Sequence, residues 1–319
     1  MEEILILSCA DIVDGGGIYR YALDGAGALR PLAYLACPKP MYAVTGGGKL
    51  HVLLRAPFEG SGNSGYFSCL ADFSDCSPVT DTQGKCACHL AADRGDLYIV
   101  NYLSGNLVKN CRDTVTHHGA GVNLPRQDMP HTHFACLSPD LAYVLCCDLG
   151  LDTVFVYDRD LREVSRAAVP AGYGVRHLVF SEEGDTFFAV NELVPSVSIF
   201  SYGNGKVAYI DTVSLPCRPG STAAAIRLDR ETRRLYVSVR GENRIFVFDV
   251  RGAALSPLCD APCGGCGPRD FAIFGDRIVC TNENSDSVTV LYKRDLRVLG
   301  HITLRSPLCV LKAGEINEL

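Results

Sequence analysis

The sequence predicts an all-β fold, a seven-bladed β-propeller whose ring is closed by a strand from the C-terminus. The first observation is a repeat, because His89, His133 and His177 are 44 residues apart and each opens a similar run of short strands and turns. The second is the content of one unit, about four strands rich in Val, Ile, Phe and Tyr, which is the size of a propeller blade. The third is the length of 319 residues, which holds seven units of about 45 residues. We interpret residues 1–319 as a single domain.

The units can be followed in order along the chain. Two degenerate units fill the first 85 residues, with EILILSC, GIYRYALD and LRPLAYLA in the first and MYAVTGG, KLHVLLRA and GYFSCLAD in the second. Regular units then begin at HLAAD, HFACLSPD and HLVFSEEG, and the pattern continues in AAIRLDRETRRLYVSVRGENRIFVFDV and DFAIFGDRIVCTNENSDSVTVLY. The first unit lacks an opening strand. We expect the run LCVLK after Pro307 to supply it and so remove the last open sheet edge.

Composition and charge narrow the class of protein. The hydrophobic fraction of 47% is enough for a large core, and the net charge of −6 is not gathered into blocks of one sign. Nucleic-acid binding proteins carry clustered basic charge, so we expect no nucleic-acid partner. No apolar run approaches the 18 residues of a membrane-spanning helix, so we expect no membrane association through such a helix. A small molecule is the expected partner.

The N-terminal sequence and the cysteines indicate the cellular compartment that we expect. The start, MEEILILSCAD, is acidic with a short apolar run, which does not resemble a signal peptide. We therefore expect a cytoplasmic protein whose 16 cysteines are mostly buried free thiols. Cys146 and Cys147 are adjacent in a strand-like run, so their side chains should lie on opposite faces of the sheet and form no disulfide.

Two groups have spacings that resemble metal sites. Cys86, Cys88 and His89 form one, and Cys263 with Cys266 forms the other. Neither has a second half at zinc-finger distance. We expect no metal site and no cofactor.

Polar residues recur at one end of the repeated unit. Antiparallel pairing puts the start of strand one and the end of strand two on the same face of the disc. Strand-one starts offer His89, His133, Arg176, His177, Arg269 and Asp270, and strand-two ends offer Tyr102, Asp148, Glu192, Arg240 and Glu283. We expect them to converge at the solvent-filled mouth of the central channel, where they could form an acid–base or oxyanion site. The alternative is that they tie neighbouring blades by hydrogen bonds, which we favour for Asp148 and Asp152.

One loop concentrates this chemistry. The stretch GAGVNLPRQDMPHTH holds Arg126, Asp128, His131 and His133 between two strand-like runs. Pro125 and Pro130 (the prolines of this stretch) restrict its backbone. We expect it to be the crossover between two blades, to lead His133 into an inner strand and to form part of the wall of the pocket.

The same stretch resembles a known family. The run GAGVNLPRQDMPHTHFACLSPD followed by DLGLDTVFVY resembles the signature of the lactonase family of seven-bladed propellers, which includes the bacterial propeller-type 6-phosphogluconolactonase. The runs CHLAADRGDLYIVNYLSGNL, GVRHLVF, VNELVPSVSIF, VSVRGENRIFVF and GPRDFAI are similar to further family motifs in the same order. The resemblance covers residues 86 to 295, and the first two units match only loosely. Two positions depart, since Ala225 and Val239 stand where the family usually has glutamate and asparagine.

The resemblance implies a metal-independent lactone hydrolase of the pentose phosphate pathway, acting on a sugar-acid lactone that is phosphorylated or plain. It implies four catalytic residues, His133, Glu192, Arg176 and Arg240. The implied substrate-binding residues are Arg126, His131, His177, Arg269, His89 and Asp148. Histidine titrates near neutrality, so His133 can activate a water, with Glu192 as the alternative base or as a group that orients the histidine. Arg176 and Arg240 could hold the substrate carbonyl or phosphate.

Two other functions stay open. A lyase or isomerase of a muconate-type acid, which forms or opens a lactone, would use the same arginines for carboxylates and a proton donor in place of the base. A non-enzymatic propeller that serves as a binding platform would instead keep Arg176 and Glu192 paired and inaccessible to solvent. Product analysis separates the first alternative from lactone hydrolysis, and solvent access at the channel mouth tests the second.

Overall fold

A computed structural model describes residues 1–58 and 60–314 of the chain. These residues form seven four-stranded antiparallel sheets, and the inner strand of each sheet contacts the inner strand of the next around a closed ring. The predicted seven-bladed propeller is therefore confirmed. We number the blades 1 to 7 in chain order.

Blade 1 is built from both ends of the chain. It contains β1 (Glu2–Ser8), β2 (Gly17–Leu23), β3 (Leu29–Ala36) and, as its innermost strand, β28 (Pro307–Lys312). Strands β1 and β28 are antiparallel, with Ile4 opposite Lys312 and Leu7 opposite Cys309. The predicted closure by the C-terminal run is confirmed, and it leaves blade 1 with four strands like the others.

The other six blades each run from an inner to an outer strand in chain order. Blade 2 contains β4 (Pro40–Gly46), β5 (Lys49–Leu54), β6 (Asn63–Cys69) and β7 (Thr80–Lys85). Blade 3 contains β8 (Ala87–Asp93), β9 (Asp96–Asn101), β10 (Asn106–Lys109) and β11 (Asp113–Thr116). Blade 4 contains β12 (Thr132–Leu137), β13 (Tyr143–Asp148), β14 (Thr153–Asp158) and β15 (Glu163–Ala168).

The last three blades follow the same order. Blade 5 contains β16 (Val175–Phe180), β17 (Thr186–Asn191), β18 (Ser196–Gly203) and β19 (Lys206–Ser214). Blade 6 contains β20 (Thr222–Asp229), β21 (Arg234–Arg240), β22 (Arg244–Arg251) and β23 (Ala254–Pro262). Blade 7 contains β24 (Pro268–Phe274), β25 (Arg277–Asn282), β26 (Ser287–Tyr292) and β27 (Val298–Thr303).

Helical structure in the described residues is limited to two 3₁₀ turns, Ile12–Asp14 and Glu283–Ser285. Neither is long enough to cross a membrane.

The core lies between the blades, and this explains the pattern of the strands. The second strand of blade 5, TFFAVN, is buried at every residue because both of its faces pack against neighbouring blades. The outer strand of the same blade, KVAYIDTVS, is mostly exposed. Cys146 belongs to the cluster that includes residues of blades 3 and 4, and Cys147 to the cluster that includes residues of blades 4 and 5. The two thiols therefore lie on opposite faces of the sheet, as predicted, and all 16 cysteines are free.

Candidate active site at the mouth of the channel

A β-bulge opens the inner strand in six blades and defines a first ring of side chains. In blade 4, Thr132 pairs with Asp148 and Phe134 with Cys147, which leaves His133 in the bulge. In blade 5 the bulged residue is Arg176, and in blade 7 it is Arg269. The same place is taken by Met41 in blade 2, Cys88 in blade 3 and Leu308 in blade 1. Bulges often redirect side chains beside active sites. We call these six bulged residues the bulge ring.

This register corrects the equivalence expected from the histidine spacing. The inner strands of blades 3, 4 and 5 begin at Ala87, Thr132 and Val175, which are 45 and 43 residues apart. The equal spacing of the histidines is therefore a coincidence of unequal loops. His133 is equivalent to Arg176 and Arg269, whereas His89 and His177 each follow the bulged residue of their blade.

A second ring lies where the second strand of each blade has just ended. In six blades the backbone N–H of this residue donates a hydrogen bond to the backbone oxygen of the residue that precedes the inner strand of the same blade. The N···O distances are 2.8–3.0 Å. The six residues are Cys9, Arg55, Tyr102, Leu149, Glu192 and Glu283. We call them the cap ring. Arg55 was not among the candidates from the sequence, although KLHVLLRA places it at the same distance from its strand as Glu192 in VNEL.

Asp148, predicted to contact substrate, lies one residue before the cap ring and is fully buried. Its carboxylate accepts hydrogen bonds from the backbone N–H groups of His131 and Leu151 and lies 2.6 Å from Nδ1 of His117. All of these contacts stabilise the loops of blade 4, so the structure gives Asp148 a structural role. Asp152 has a similar one, since it accepts backbone hydrogen bonds from Gly172 and Gly174.

Three arginines converge on Glu192. Its Oε1 is 2.6 Å from Nη2 of Arg126, and its Oε2 is 2.9 Å from Nε of Arg176 and 3.0 Å from Nη2 of Arg240. These four residues come from the crossover loop before blade 4 and from blades 5 and 6. Burial alone would raise the pKa of the Glu192 carboxyl group, but the guanidinium groups of Arg240 and Arg176 outweigh it and lower that pKa well below its usual value. Glu192 is therefore a fixed anion among cations and a weak base.

Burial differs among these arginines. The side chain of Arg176 is 3% exposed, whereas those of Arg240 and Arg126 are 18% and 43% exposed. The expectation that Arg176 lies at a solvent-filled mouth is therefore wrong. Its Nη1 also donates to the backbone oxygen of Ala224 in blade 6, at 2.6 Å. Arg176 thus ties two blades as well as facing the pocket.

Three histidines pack against one another in the channel, with their rings tilted or edge-on rather than stacked. The ring centroids of His133 and His177 are 5.2 Å apart, and those of His89 and His177 are 5.4 Å apart. Nδ1 of His133, Nδ1 of His177 and Nε2 of His89 are buried without a hydrogen-bond partner. Burial and the positive charge of Arg176 lower the pKa of both His133 and His177 well below that of an exposed histidine. The expectation that His133 titrates near neutrality is therefore wrong, and it is a neutral imidazole at neutral pH.

The contacts of His177 define its tautomer. Its Nε2 lies 3.0 Å from Nη1 of Arg176, and a guanidinium group can only donate. Nε2 of His177 must therefore accept, so its proton is on Nδ1, the atom without a partner. This N–H donor is buried without a partner among the described residues, and His177 contributes to the lining of the pocket described below.

The crossover loop from His117 to His131 covers one side of the mouth. Gln127 anchors it, because its Nε2 donates to the backbone oxygen of Leu149 and to Asp152. His131 lies 3.0 Å from the backbone oxygen of Tyr102, and its ring stacks on the Tyr102 ring at 4.3 Å. The loop leads His133 into β12 and carries Arg126 to Glu192, as expected of a crossover that forms the wall.

Blade 7 supplies three further charged residues, Arg269, Asp270 and Glu283. Nη1 of Arg269 lies 3.4 Å from Oε2 of Glu283. Below them, Asp270 lies 2.6 Å from Nη2 of Arg227, an inner-strand residue of blade 6. A small cavity of about 20 Å³ lies beside Asp270, and Arg176, Arg269, His133 and His177 contribute to its lining. His89 and Asp148 do not line it.

The two departures from the family pattern are both packed in the interior. Ala225 and Val239 are fully buried, and the backbone N–H of Ala225 donates to Oγ of Ser238 at 3.0 Å. The register of blade 6 shifts between Ala223 and Ile226. There the backbone oxygens of Ala223 and Ala224 accept hydrogen bonds from Arg240 and Arg176.

Metal ligands are not grouped within residues 1–58 and 60–314. No set of three or more His, Cys, Asp or Glu side chains is arranged there to hold a metal ion.

A model of the lactonase family, described as a seven-bladed β-propeller, matches residues 4–311. An uncharacterized protein of Staphylococcus saprophyticus is 32% identical over 218 residues, which cover 65% of this chain; the chain spans 63% of the length of that relative. A candidate 6-phosphogluconolactonase of Bacteroides fragilis shares 20% identity, with a TM-score of 0.87 over 98% of each chain. A periplasmic gluconolactonase of Pseudomonas aeruginosa shares 23% identity, with a TM-score of 0.84 over 98% of this chain and 99% of that one. At these identities the two structures show the fold.

Proposed function

We propose that this chain, which belongs to the lactonase family of seven-bladed β-propellers, hydrolyses the internal ester of a sugar-acid lactone at the channel mouth. Family membership supports activity on lactones. The names of the two structural neighbours suggest gluconolactone and its 6-phosphate as the first substrates to test. A metal-independent reaction, a place in the pentose phosphate pathway and a cytoplasmic location are part of the proposal.

The observation that carries the proposal is the arrangement of His133 beside Arg176. His133 is a neutral imidazole with an unpartnered Nδ1, so it can accept a proton from water. Arg176 is fixed by Glu192 and by the backbone oxygen of Ala224, and it lines the same pocket. A fixed guanidinium group at this place can donate to the carbonyl oxygen as negative charge develops on it.

The steps follow from these roles. The His133 imidazole removes a proton from a water molecule while the water oxygen attacks the lactone carbonyl carbon. Arg176, with the Nδ1–H of His177, stabilises the oxyanion of the tetrahedral intermediate. The ring C–O bond then breaks, and the protonated His133 returns the proton to the leaving alkoxide, which gives the open sugar acid. Glu192 acts by fixing the arginines rather than as the base.

A direct assay tests this function. Purified protein is incubated with gluconolactone and 6-phosphogluconolactone, with and without a chelator, and ring opening is followed above the spontaneous rate. We expect catalysed opening of at least one lactone that the chelator leaves unchanged. Formation of an isomer instead of the hydrolysed acid would favour the muconate-type lyase or isomerase.

One observation favours the binding platform as the second candidate. Arg176 and Glu192 are paired and almost inaccessible, which is what that alternative expects. Arg126 and Arg240 remain partly exposed beside them, so the mouth keeps accessible cations. Saturable binding of a sugar acid without turnover of any lactone in the panel would support the platform.

A further inference from the structure

We propose that Arg55 and Arg269 form a separate subsite for the phosphate group of a phosphorylated lactone, across the mouth from the site of ester cleavage. The inference rests on the proposed function, because it assigns a substrate class to the same pocket. Arg55 has no place in the catalytic scheme above and was not found from the sequence.

The backbone places the Arg55 side chain at the mouth. Its N–H donates to the backbone oxygen of Lys39 at 3.0 Å, which is the bond that defines the cap ring. Other members of that ring turn their side chains to the mouth, since Glu192 contacts Arg176 and Glu283 contacts Arg269. The equivalent position in blade 2 therefore carries a cation toward the same opening.

Blade 1 leaves space between the two arginines. Blades 7, 1 and 2 are neighbours, and the cap-ring residue of blade 1 is Cys9, a small side chain whose thiol contacts Sδ of Met41 at 3.4 Å. Arg55 belongs to blade 2 and Arg269 to blade 7, the two blades whose inner strands contact that of blade 1. A tetrahedral anion above Cys9 could therefore contact both.

The arginines on this side of the mouth have fewer ion-pair contacts than the arginines around Glu192. Arg55 is exposed, and none of the described residues forms a salt bridge with it. Arg269 has one contact with Glu283, at 3.4 Å, and both side chains are partly exposed. Arg126, Arg176 and Arg240 are all bound to Glu192. Guanidinium groups bind phosphate through paired N–H donors, so the arginines with free donors are the better phosphate ligands.

The position of the catalytic groups leads to the same assignment. His133, Arg176 and Arg240 belong to blades 4, 5 and 6, so the ester carbonyl is bound on that side. A group at the far end of the sugar must then reach toward blades 7, 1 and 2, where Arg269 and Arg55 lie.

The test compares two lactones that differ only in the phosphate. KM and kcat are measured with gluconolactone and 6-phosphogluconolactone for the wild type, for Arg55→Gln and for the control Arg112→Gln. The control removes the same charge from an exposed turn between β10 and β11, at the opposite end of the propeller. We expect Arg55→Gln to raise KM for the phosphorylated lactone by roughly ten- to a hundredfold, with kcat and the plain lactone unchanged and no change in the control.

Binding of the products separates this proposal from the proposed function. Calorimetry measures the affinity of the same three proteins for 6-phosphogluconate and for gluconate, which requires no turnover. If no lactone is hydrolysed but Arg55→Gln selectively weakens the binding of 6-phosphogluconate, the subsite is supported and the catalytic proposal fails. If lactones are hydrolysed but Arg55→Gln affects both ligands equally or neither, the subsite is wrong and the catalytic proposal is unaffected.

Discussion

Blades 5 and 7 carry the same pair of residues at equivalent positions, with different surroundings. Each has an arginine in the bulge ring and a glutamate in the cap ring: Arg176 with Glu192 in blade 5, and Arg269 with Glu283 in blade 7. The first pair is 2.9 Å apart with side chains 3% and 6% exposed. The second is 3.4 Å apart with side chains 23% and 31% exposed.

The neighbours of each pair account for the difference. The crossover loop brings Arg126 over Glu192, and blade 6 adds Arg240 from the side. Blade 7 is followed by blade 1, which offers Cys9 and Leu308 at the two rings and no charge. The repeat thus fixes where a side chain lies, and the adjacent blade decides whether it is held rigidly or left open to a ligand.

The largest expected effect is that of Glu192→Gln. It removes the only anion that contacts Arg126, Arg176 and Arg240 among the described residues. Loss of one partner from a buried ion pair typically costs about 3–5 kcal/mol, so we expect a loss of that size in the free energy of unfolding, measured by urea denaturation. An unchanged free energy of unfolding would show that the cluster does not stabilise the fold.

The lowered pKa of Glu192 also predicts that the folded protein loses stability in acid. Its pKa is lowered in the folded protein, so the stability that it contributes is complete above about pH 4.3, the unfolded value. It is lost as pH falls from there through the folded pKa. The wild type should lose stability on acidification over this range more steeply than Glu192→Gln, measured by denaturation at several pH values.

The second expected effect is a loss of stability in Arg176→Ala, which the sequence alone does not predict. Arg176 would carry little packing at an open mouth, and Arg176→Ala would then melt near the wild-type temperature. In the structure it is buried and bound to Glu192, His177 and the backbone of blade 6. We therefore expect Arg176→Ala to lose about 3 kcal/mol or more in the free energy of unfolding together with its activity. Arg176→Lys keeps the charge without the fork, so it should recover part of the stability and little of the activity.

The sequence predicts the architecture well and the site only in part. Strand periodicity and turn residues are local signals, so the seven blades and the closing strand could be found without the structure. The bulge at the start of each inner strand is not a local signal, and one residue of register decided that His133 matches Arg176 rather than His89. For the same reason the sequence placed Asp148 level with Glu192, although Leu149 is the equivalent residue. Arg55 was missed because blade 2 lacks the polar residues that mark the later blades.

The third expected effect is on catalysis alone. His133→Asn removes the proposed base but keeps a polar side chain of smaller volume. General bases contribute about 10²- to 10⁴-fold, so we expect a loss of that size in kcat with a small change in stability. Because burial and Arg176 lower the pKa of His133, wild-type kcat should be constant through neutral pH and fall only on the acid side as the imidazole is protonated. A pH limb near neutrality, or full turnover by the variant, would exclude His133 as the base.

The smallest expected effect belongs to the open pair of blade 7. Glu283→Gln makes the same chemical change as Glu192→Gln at the equivalent position, so it is the matched control for the comparison. Partly exposed ion pairs contribute about 0–1 kcal/mol, and we expect no larger loss in the free energy of unfolding. The variant also frees Arg269 from its only carboxylate contact among the described residues. If Arg269 and Arg55 bind phosphate, KM for 6-phosphogluconolactone should then fall by roughly two- to fivefold, while KM for gluconolactone stays the same. A stability loss as large as that of Glu192→Gln would show that blade 7 is as rigid as blade 5. An increase in KM for the phosphorylated lactone would instead mean that Glu283 is needed to position Arg269.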